Sequence, residues 1–180
     1  MIYLYRDLEK KGLSDYQIKK LVSENKLYII GKGIYSESLN YNYLELISVK
    51  HINAIYTLET AAYIYGLIKK NNKPYVIATK QKDRKISDEN IKQIFTTDDL
   101  YNTGISKISY QGFNIKIYDL ERLLIDIVRN KVNMDYDIYH EIINNYKKIS
   151  NLLSKKKLND YIIKFKDPKI VDRIKNEVLN

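Results

Sequence analysis

The sequence predicts an α+β protein: an N-terminal winged helix-turn-helix over residues 1–36, then a mixed α/β domain over residues 43–180 that ends in a helical tail. Three observations predict it. The first 36 residues hold two short helical patterns, a tight turn between them and a hairpin with a glycine-rich turn. Residues 43–128 alternate helix-period and strand-period runs. From Tyr136 onward only the helical period remains.

Tyr3 to Lys11 carries Leu4 and Leu8 one turn apart, and Gly12 ends the run. Ser14 with Gln17 three residues later is a capping box, so a second helix starts there. Its inward stripe is Ile18, Leu21 and Val22; Asp15, Gln17, Lys19, Lys20, Ser23 and Glu24 face solvent. Leu27–Ile30 and Ile34–Ser36 flank Gly31-Lys32-Gly33, the pattern of a hairpin. Helix, turn, helix and basic-tipped hairpin together form a DNA-reading module, the second helix suited to the major groove. A complete winged module usually has a helix before the pair. Here the chain starts almost at the first helix of the pair, so the module is either trimmed or completed by later residues. The same pieces also occur as ordinary scaffold in α+β domains.

Ser36 to Asn42 is a polar break. Tyr43–Lys50 reads as a helix with Leu44, Leu46 and Ile47 apolar, and Asn53–Tyr56 as a short strand or entry segment. Thr57 caps a helix running to Tyr65 and stopped by Gly66. A basic loop, Lys69–Pro74, leads into a buried-type strand, Tyr75–Thr79. A second basic loop, Gln81–Lys85, precedes a short helix capped by Ser87 and carrying Ile91 and Ile94. Ile105–Tyr110 and Phe113–Tyr118 form a hairpin around Gln111-Gly112. Asp119 caps a strongly apolar helix with Leu120, Leu123, Leu124, Ile127 and Val128. Tyr136–Lys148 turns Ile138, Ile142 and Ile143 inward, and Leu152–Phe165 and Ile170–Leu179 close the chain as two helices separated at Asp167-Pro168.

Composition narrows the function classes. A chain of 180 residues with 44% hydrophobic side chains fits one or two soluble globular domains with a real core. No apolar run approaches the length of a membrane span, and no basic segment leads into an apolar stretch at the N-terminus. A cytoplasmic protein that spans no membrane is the expectation. Cysteine is absent, which excludes disulfides and thiolate metal sites. The net charge of +9 is uneven: residues 69–85 and 147–180 each carry +6, whereas 86–146 carry −4. Blocks of one sign suit a polyanionic partner. Richness in Lys, Asn, Ile and Tyr with little Arg, Gly and Pro also fits a plain compositional bias.

No Gly-rich phosphate loop, thiol nucleophile or Gly-x-Ser-x-Gly elbow is present, so no enzyme activity and no cofactor are expected. His51 and His140 stand far apart without metal-ligand spacing, and no metal site is expected. The candidate DNA contacts are Tyr16, Gln17, Lys19, Lys20 and Lys32. Gln17 has the chemistry to read an adenine edge, or serves only as a cap; lysines read guanine or meet phosphate. Lys10 and Lys11 fit either phosphate contact or their own helix dipole. Lys69, Lys70 and Lys73, with Lys80, Lys82, Arg84 and Lys85, extend a DNA footprint, engage RNA, or simply face solvent. Asp119, Glu121, Arg122, Asp126 and Arg129 gather carboxylates and arginines at helical spacing. Capping by Asp119 and ion pairing of Arg122 with Asp126 at i, i+4 explain them better than catalysis. Tyr63, Tyr65, Tyr136, Tyr139 and Tyr146 fit either interface anchors or core packing, the latter favoured.

Three segments in order resemble the AbiEi family of bacterial antitoxins: Gly31-Lys32-Gly33-Ile34-Tyr35; Leu58-Glu59-Thr60-Ala61-Ala62-Tyr63-Ile64-Tyr65-Gly66-Leu67; and, most specific, Tyr118 to Arg129. The resemblance spans nearly the whole chain. It implies an antitoxin of a toxin–antitoxin pair that represses its own operon by binding inverted-repeat promoter DNA as a dimer or cooperatively. It further implies that the C-terminal domain neutralises a nucleotidyltransferase-like toxin, in much of the family without a stable complex. The alternative is a protein-interaction module that binds and blocks the toxin directly, with no sequence-specific DNA binding.

Overall fold

The computed structural model describes residues 1–167 and 169–179, and the chain divides into two compact units. Unit 1 is Met1–Ala54 with Ser109–Ile115; unit 2 is Ile55–Ile108 with Lys116–Asn180. The polar break at 36–42 therefore lies inside unit 1.

Unit 1 runs β1 (Ile2–Leu4), α1 (Tyr5–Lys10), α2 (Asp15–Ser23), β2 (Tyr28–Gly31), β3 (Ile34–Ser36) and α3 (Tyr43–Lys50). The strands form an antiparallel sheet in the order β1-β3-β2, with Tyr3 opposite Tyr35 and Ile29 opposite Tyr35 on the other side. Tyr3 and Leu4, expected at the start of a helix, lie in β1 instead. Pairing with β3 decides their conformation, and such long-range pairing leaves no mark in a local pattern.

Helix α1 starts where the Asp7 carboxylate accepts the Leu4 N–H at 3.2 Å. It ends in a Schellman motif: the N–H of Gly12 meets the Glu9 carbonyl at 2.8 Å and that of Leu13 meets the Leu8 carbonyl at 3.2 Å. Gly12 takes φ +85°, the left-handed region this motif demands. Helix α2 opens on the expected capping box, Ser14 N–H to Gln17 Oε1 at 2.8 Å and Gln17 N–H to Ser14 Oγ at 3.3 Å. Ile18 joins Tyr3, Leu8 and Leu27 in the core, with Leu13, Leu21 and Val22 packed around them.

Helix α3 packs on β1. Asn42 caps it through the Leu44 N–H at 2.8 Å, and Leu44, Glu45 and Ile47 are buried.

The remaining elements are β4 (Ile55–Tyr56), α4 (Leu58–Ile64), β5 (Tyr75–Lys80), β6 (Ile91–Thr96), α5 (Asp98–Tyr101), β7 (Ile105–Tyr110), β8 (Phe113–Tyr118), α6 (Leu120–Arg129), α7 (Tyr136–Lys148), α8 (Lys155–Phe165), α9 (Lys169–Ile174) and a π-helical turn, Lys175–Leu179; they belong to unit 2 except residues 109–110 of β7 and 113–115 of β8, which fall in unit 1. The sheet order is β6-β5-β4-β8-β7. β4 runs antiparallel to β5 and parallel to β8, and β5 runs parallel to β6. Val76, Ile77, Ala78 and Thr79 are all buried, the continuous pattern of a strand covered on both faces. Helix α6 is buried from Glu121 to Val128, so it is a core helix, packed with α4, α8 and α9.

The segment expected as a helix through Ile91 and Ile94 is strand β6. It pairs with β5 over six residues, from Tyr75 opposite Ile91 to Lys80 opposite Thr96. An i, i+3 apolar spacing is shared by short strands and helices, and here tertiary pairing decides. Helix α8 starts at Lys155 rather than at Leu152, because Ser154 caps it through the Lys157 N–H at 3.3 Å. Of the expected break at Asp167-Pro168, Pro168 lies outside the described residues; α8 ends at Phe165 and Lys166 is left-handed, φ +52°. Among the described residues no helix is long and apolar enough to cross a membrane.

Candidate nucleic-acid interface

Tyr16, Lys19, Lys20 and Ser23 fall at i, i+3, i+4 and i+7 of α2, one face opposite the buried Ile18, and all four are exposed. Tyr16 is 75% exposed. Lys20 has Glu24 one turn on at 3.9 Å, while Glu24 also meets Lys26 at 2.7 Å. Among the described residues Lys19 and Lys32 have no ion-pair partner, so their charge is available to a ligand. Gln17 is exposed, but its Oε1 already accepts the Ser14 N–H. A bidentate contact to adenine needs both that oxygen and the amide nitrogen, so the cap competes with base reading.

The turn between β2 and β3 carries Lys32, exposed at its tip. Tyr5 joins this turn to α2: its N–H donates to the Gly33 carbonyl at 2.8 Å and its hydroxyl to Asp15 Oδ1 at 2.6 Å. That hydrogen bond to a carboxylate, before all else, pushes the Tyr5 phenol well above its ordinary pKa. Lys11 lies over the Tyr3 ring, 4.0 Å from its centroid, which commits it to the module's own surface; Lys10 ends α1 in the last turn, where a cation suits the dipole. Two exposed residues of this unit escape sequence reasoning. Ile29 on β2 is 62% exposed, and Arg6 sits on the outer face of α1. Strand alternation points Ile29 outward; for Arg6 no local signal distinguishes it from any solvated side chain.

The two basic loops belong to unit 2. Lys69, Lys70 and Lys73 are exposed, and the Lys69 N–H donates to Glu141 at 3.3 Å. Lys80 and Lys82 share Asp98 at 3.9 and 3.8 Å, which neutralises part of the second loop; Arg84 and Lys85 are exposed.

The Tyr118–Arg129 segment is a packing device. Asp119 accepts the Arg122 N–H at 3.0 Å as the cap of α6 and the Tyr161 hydroxyl at 2.9 Å. Glu121 accepts the Ser154 N–H at 2.7 Å, which seats the start of α8. Arg122 is only 2% exposed. Its Nε donates to Asp126 at 3.1 Å, the i, i+4 pair the spacing predicts, and its Nη1 donates to the Leu100 and Thr103 carbonyls, the latter at 2.9 Å. The guanidinium stacks on Tyr118 and Phe165 at 4.1 and 4.6 Å. The Thr57 hydroxyl, expected as a cap for α4, donates instead to Asp126 at 3.2 Å. Burial pushes the Asp126 carboxyl above its ordinary pKa, while Arg122 and Thr57 pull it down. Gly104 lies against this cluster at φ +78°; a Cβ there would stand 2.5 Å from that of Arg122. Sequence spacing shows the Arg122–Asp126 pair, whereas Leu100, Thr103, Gly104 and Phe165 reach it only through the tertiary fold.

Tyr139 and Tyr146 are core residues, Tyr65 donates to the Tyr118 carbonyl at 3.0 Å, and Tyr63 is half-buried. Tyr136 is exposed and packs on His140 at 4.2 Å between centroids. His51 ends α3, its N–H on the Ile47 carbonyl at 2.8 Å. Among the described residues no group of His, Cys, Asp and Glu is arranged to hold a metal ion. No model of a known protein family matches the chain, and no curated protein matches it.

Proposed function

We propose that unit 1 is a winged helix-turn-helix that reads duplex DNA, with α2 as the recognition helix and the β2–β3 turn as the wing. The observation that carries it is the Tyr5 bridge. Tyr5 holds the Lys32 turn to the start of a capped helix whose outer face offers Tyr16, Lys19 and Lys20. The strand order β1-β3-β2 and the position of the helix pair between β1 and the hairpin support the same reading. Helix α3, packed on β1, takes the place of the helix such modules usually carry in front. Lysines on the helix and wing supply phosphate contacts, and side chains of the α2 face reach base edges.

We further propose that the chain is an antitoxin that represses its own operon and neutralises a nucleotidyltransferase-like toxin. The support is the resemblance of three ordered segments to the AbiEi family. A promoter reporter and a growth assay test the two halves. The chain represses transcription from its own upstream DNA, and co-expression restores growth against the product of the neighbouring toxin gene. Lys20→Glu with Lys32→Glu abolishes repression and spares growth rescue if the two units divide the labour. Repression unchanged by the double substitution contradicts the DNA-binding assignment.

A further inference from the structure

Unit 2 contains a cavity of about 450 Å³, within the roughly 300–1,000 Å³ typical of small-molecule sites. Its lining includes three arginines. Arg122, Arg129 and Arg173 all border it. Arg129 stacks on Phe165 at 4.7 Å, an arrangement that leaves the edge donors of a guanidinium available. Among the described residues neither Arg129 nor Arg173 has an ion-pair partner, and no acceptor engages Nη2 of Arg122. The carboxylates of the lining have partners. Asp126 is held by Arg122 and Thr57 and also feels the charge of Arg129, and Asp167 accepts the Lys169 N–H at 3.2 Å.

The lining also includes apolar side chains and an aromatic ring. Phe95, on edge strand β6, is 44% exposed although it borders the cavity, and Leu58, Ile94 and Leu100 line it as well. Leu58 is buried at φ +45°, a conformation that costs a leucine energy and that recurs at ligand sites. Unpaired guanidinium donors select an anion with several acceptor oxygens. The volume exceeds what a lone inorganic anion fills, and a flat ring suits the exposed face of Phe95.

We propose that this cavity binds a nucleoside phosphate, the phosphate met by Arg129, Arg173 and Nη2 of Arg122 and the base laid against Phe95. The site is independent of the DNA-reading face of unit 1.

Calorimetric titration of the full chain with each of the four nucleoside 5′-monophosphates, the matching nucleosides and inorganic phosphate tests it. At least one monophosphate binds, and its nucleoside and inorganic phosphate each bind at least tenfold more weakly. Arg129→Gln with Arg173→Gln, both exposed side chains, lowers affinity for that nucleotide at least tenfold without moving the melting temperature of the ligand-free protein. Phe95→Ala lowers it about tenfold by removing the stacking surface. No heat with any monophosphate at millimolar concentration overturns the proposal. So does a double variant that binds as the parent does, or inorganic phosphate that binds as tightly as the nucleotide.

Discussion

The Tyr5 hydroxyl donates to Asp15 Oδ1 at 2.6 Å, while the N–H of the same residue holds the Gly33 carbonyl. One residue, through its backbone and its side chain, thereby sets the β2–β3 turn relative to the first turn of α2. Tyr5→Phe keeps the backbone bond and the ring and removes only the hydroxyl. Affinity for the chain's own upstream DNA is expected to fall several-fold, with little change in melting temperature. Fluorescence anisotropy and a thermal melt check this. A loss of stability as large as the loss of affinity would reduce Tyr5 to a scaffold residue.

Glu45 accepts the N–H of Ile2 at 2.8 Å in a buried environment. It ties α3 to the edge strand of the three-stranded sheet. Glu45→Ala leaves that N–H without an acceptor and should cost about 1–3 kcal/mol. Glu45→Gln retains a carbonyl oxygen at the same reach and should cost less. Urea titration of the two variants checks the order.

Arg122 and Asp126 form a buried pair. Arg122→Ala strands the Asp126 carboxylate and releases the carbonyls of Leu100 and Thr103, at about 3–5 kcal/mol. Replacing both residues, Arg122→Met with Asp126→Leu, removes the stranded charge and should recover part of that loss. A double-mutant cycle by chemical denaturation gives the coupling; strictly additive costs would contradict the account.

Five buried or half-buried tyrosines of unit 2 set an alkaline limit. Burial, as the first cause in each case, raises the phenols of Tyr65, Tyr118, Tyr139 and Tyr146, and pushes Tyr161 up to about 12. Each folded pKa exceeds the ordinary 10.0, so the folded state holds protons that the unfolded state releases. The stability so contributed is complete below pH 10 and declines as pH rises through the folded values. Tyrosinate absorbance should therefore lag that of the denatured chain above pH 10, then rise together with loss of circular dichroism. Titration of all phenols near pH 10 in a folded chain would contradict it.

Legibility follows the range of the causes. Helix α2 is readable because its capping box is three residues long and its apolar stripe recurs every turn. Helix α6 is readable because Asp119 caps a run whose apolar residues recur at helical spacing. Strands β1 and β6 are not, because pairing partners 30–34 and 16 residues away in sequence hold them extended. At the proposed DNA-reading face, exposure of Lys19, Lys20 and Lys32 follows from local period and turn chemistry. The Tyr5 bridge does not, since Gly33 and Asp15 meet it only after the sheet forms. Arg129 and Arg173, 44 positions apart, share a cavity wall for the same kind of reason.

The most direct test is a gel-shift titration against DNA upstream of the chain's own gene, at two salt concentrations, with unrelated DNA as competitor. A sequence-specific autorepressor gives a shift that survives competitor, a footprint on repeated half-sites, and loss of that shift in Lys20→Glu with Lys32→Glu. In the milder Lys20→Gln with Lys32→Gln, which removes the two phosphate contacts without reversing charge, the slope of log affinity against log salt should shrink by about two. Binding no tighter than to unrelated DNA, or unchanged by the double substitution, would contradict it.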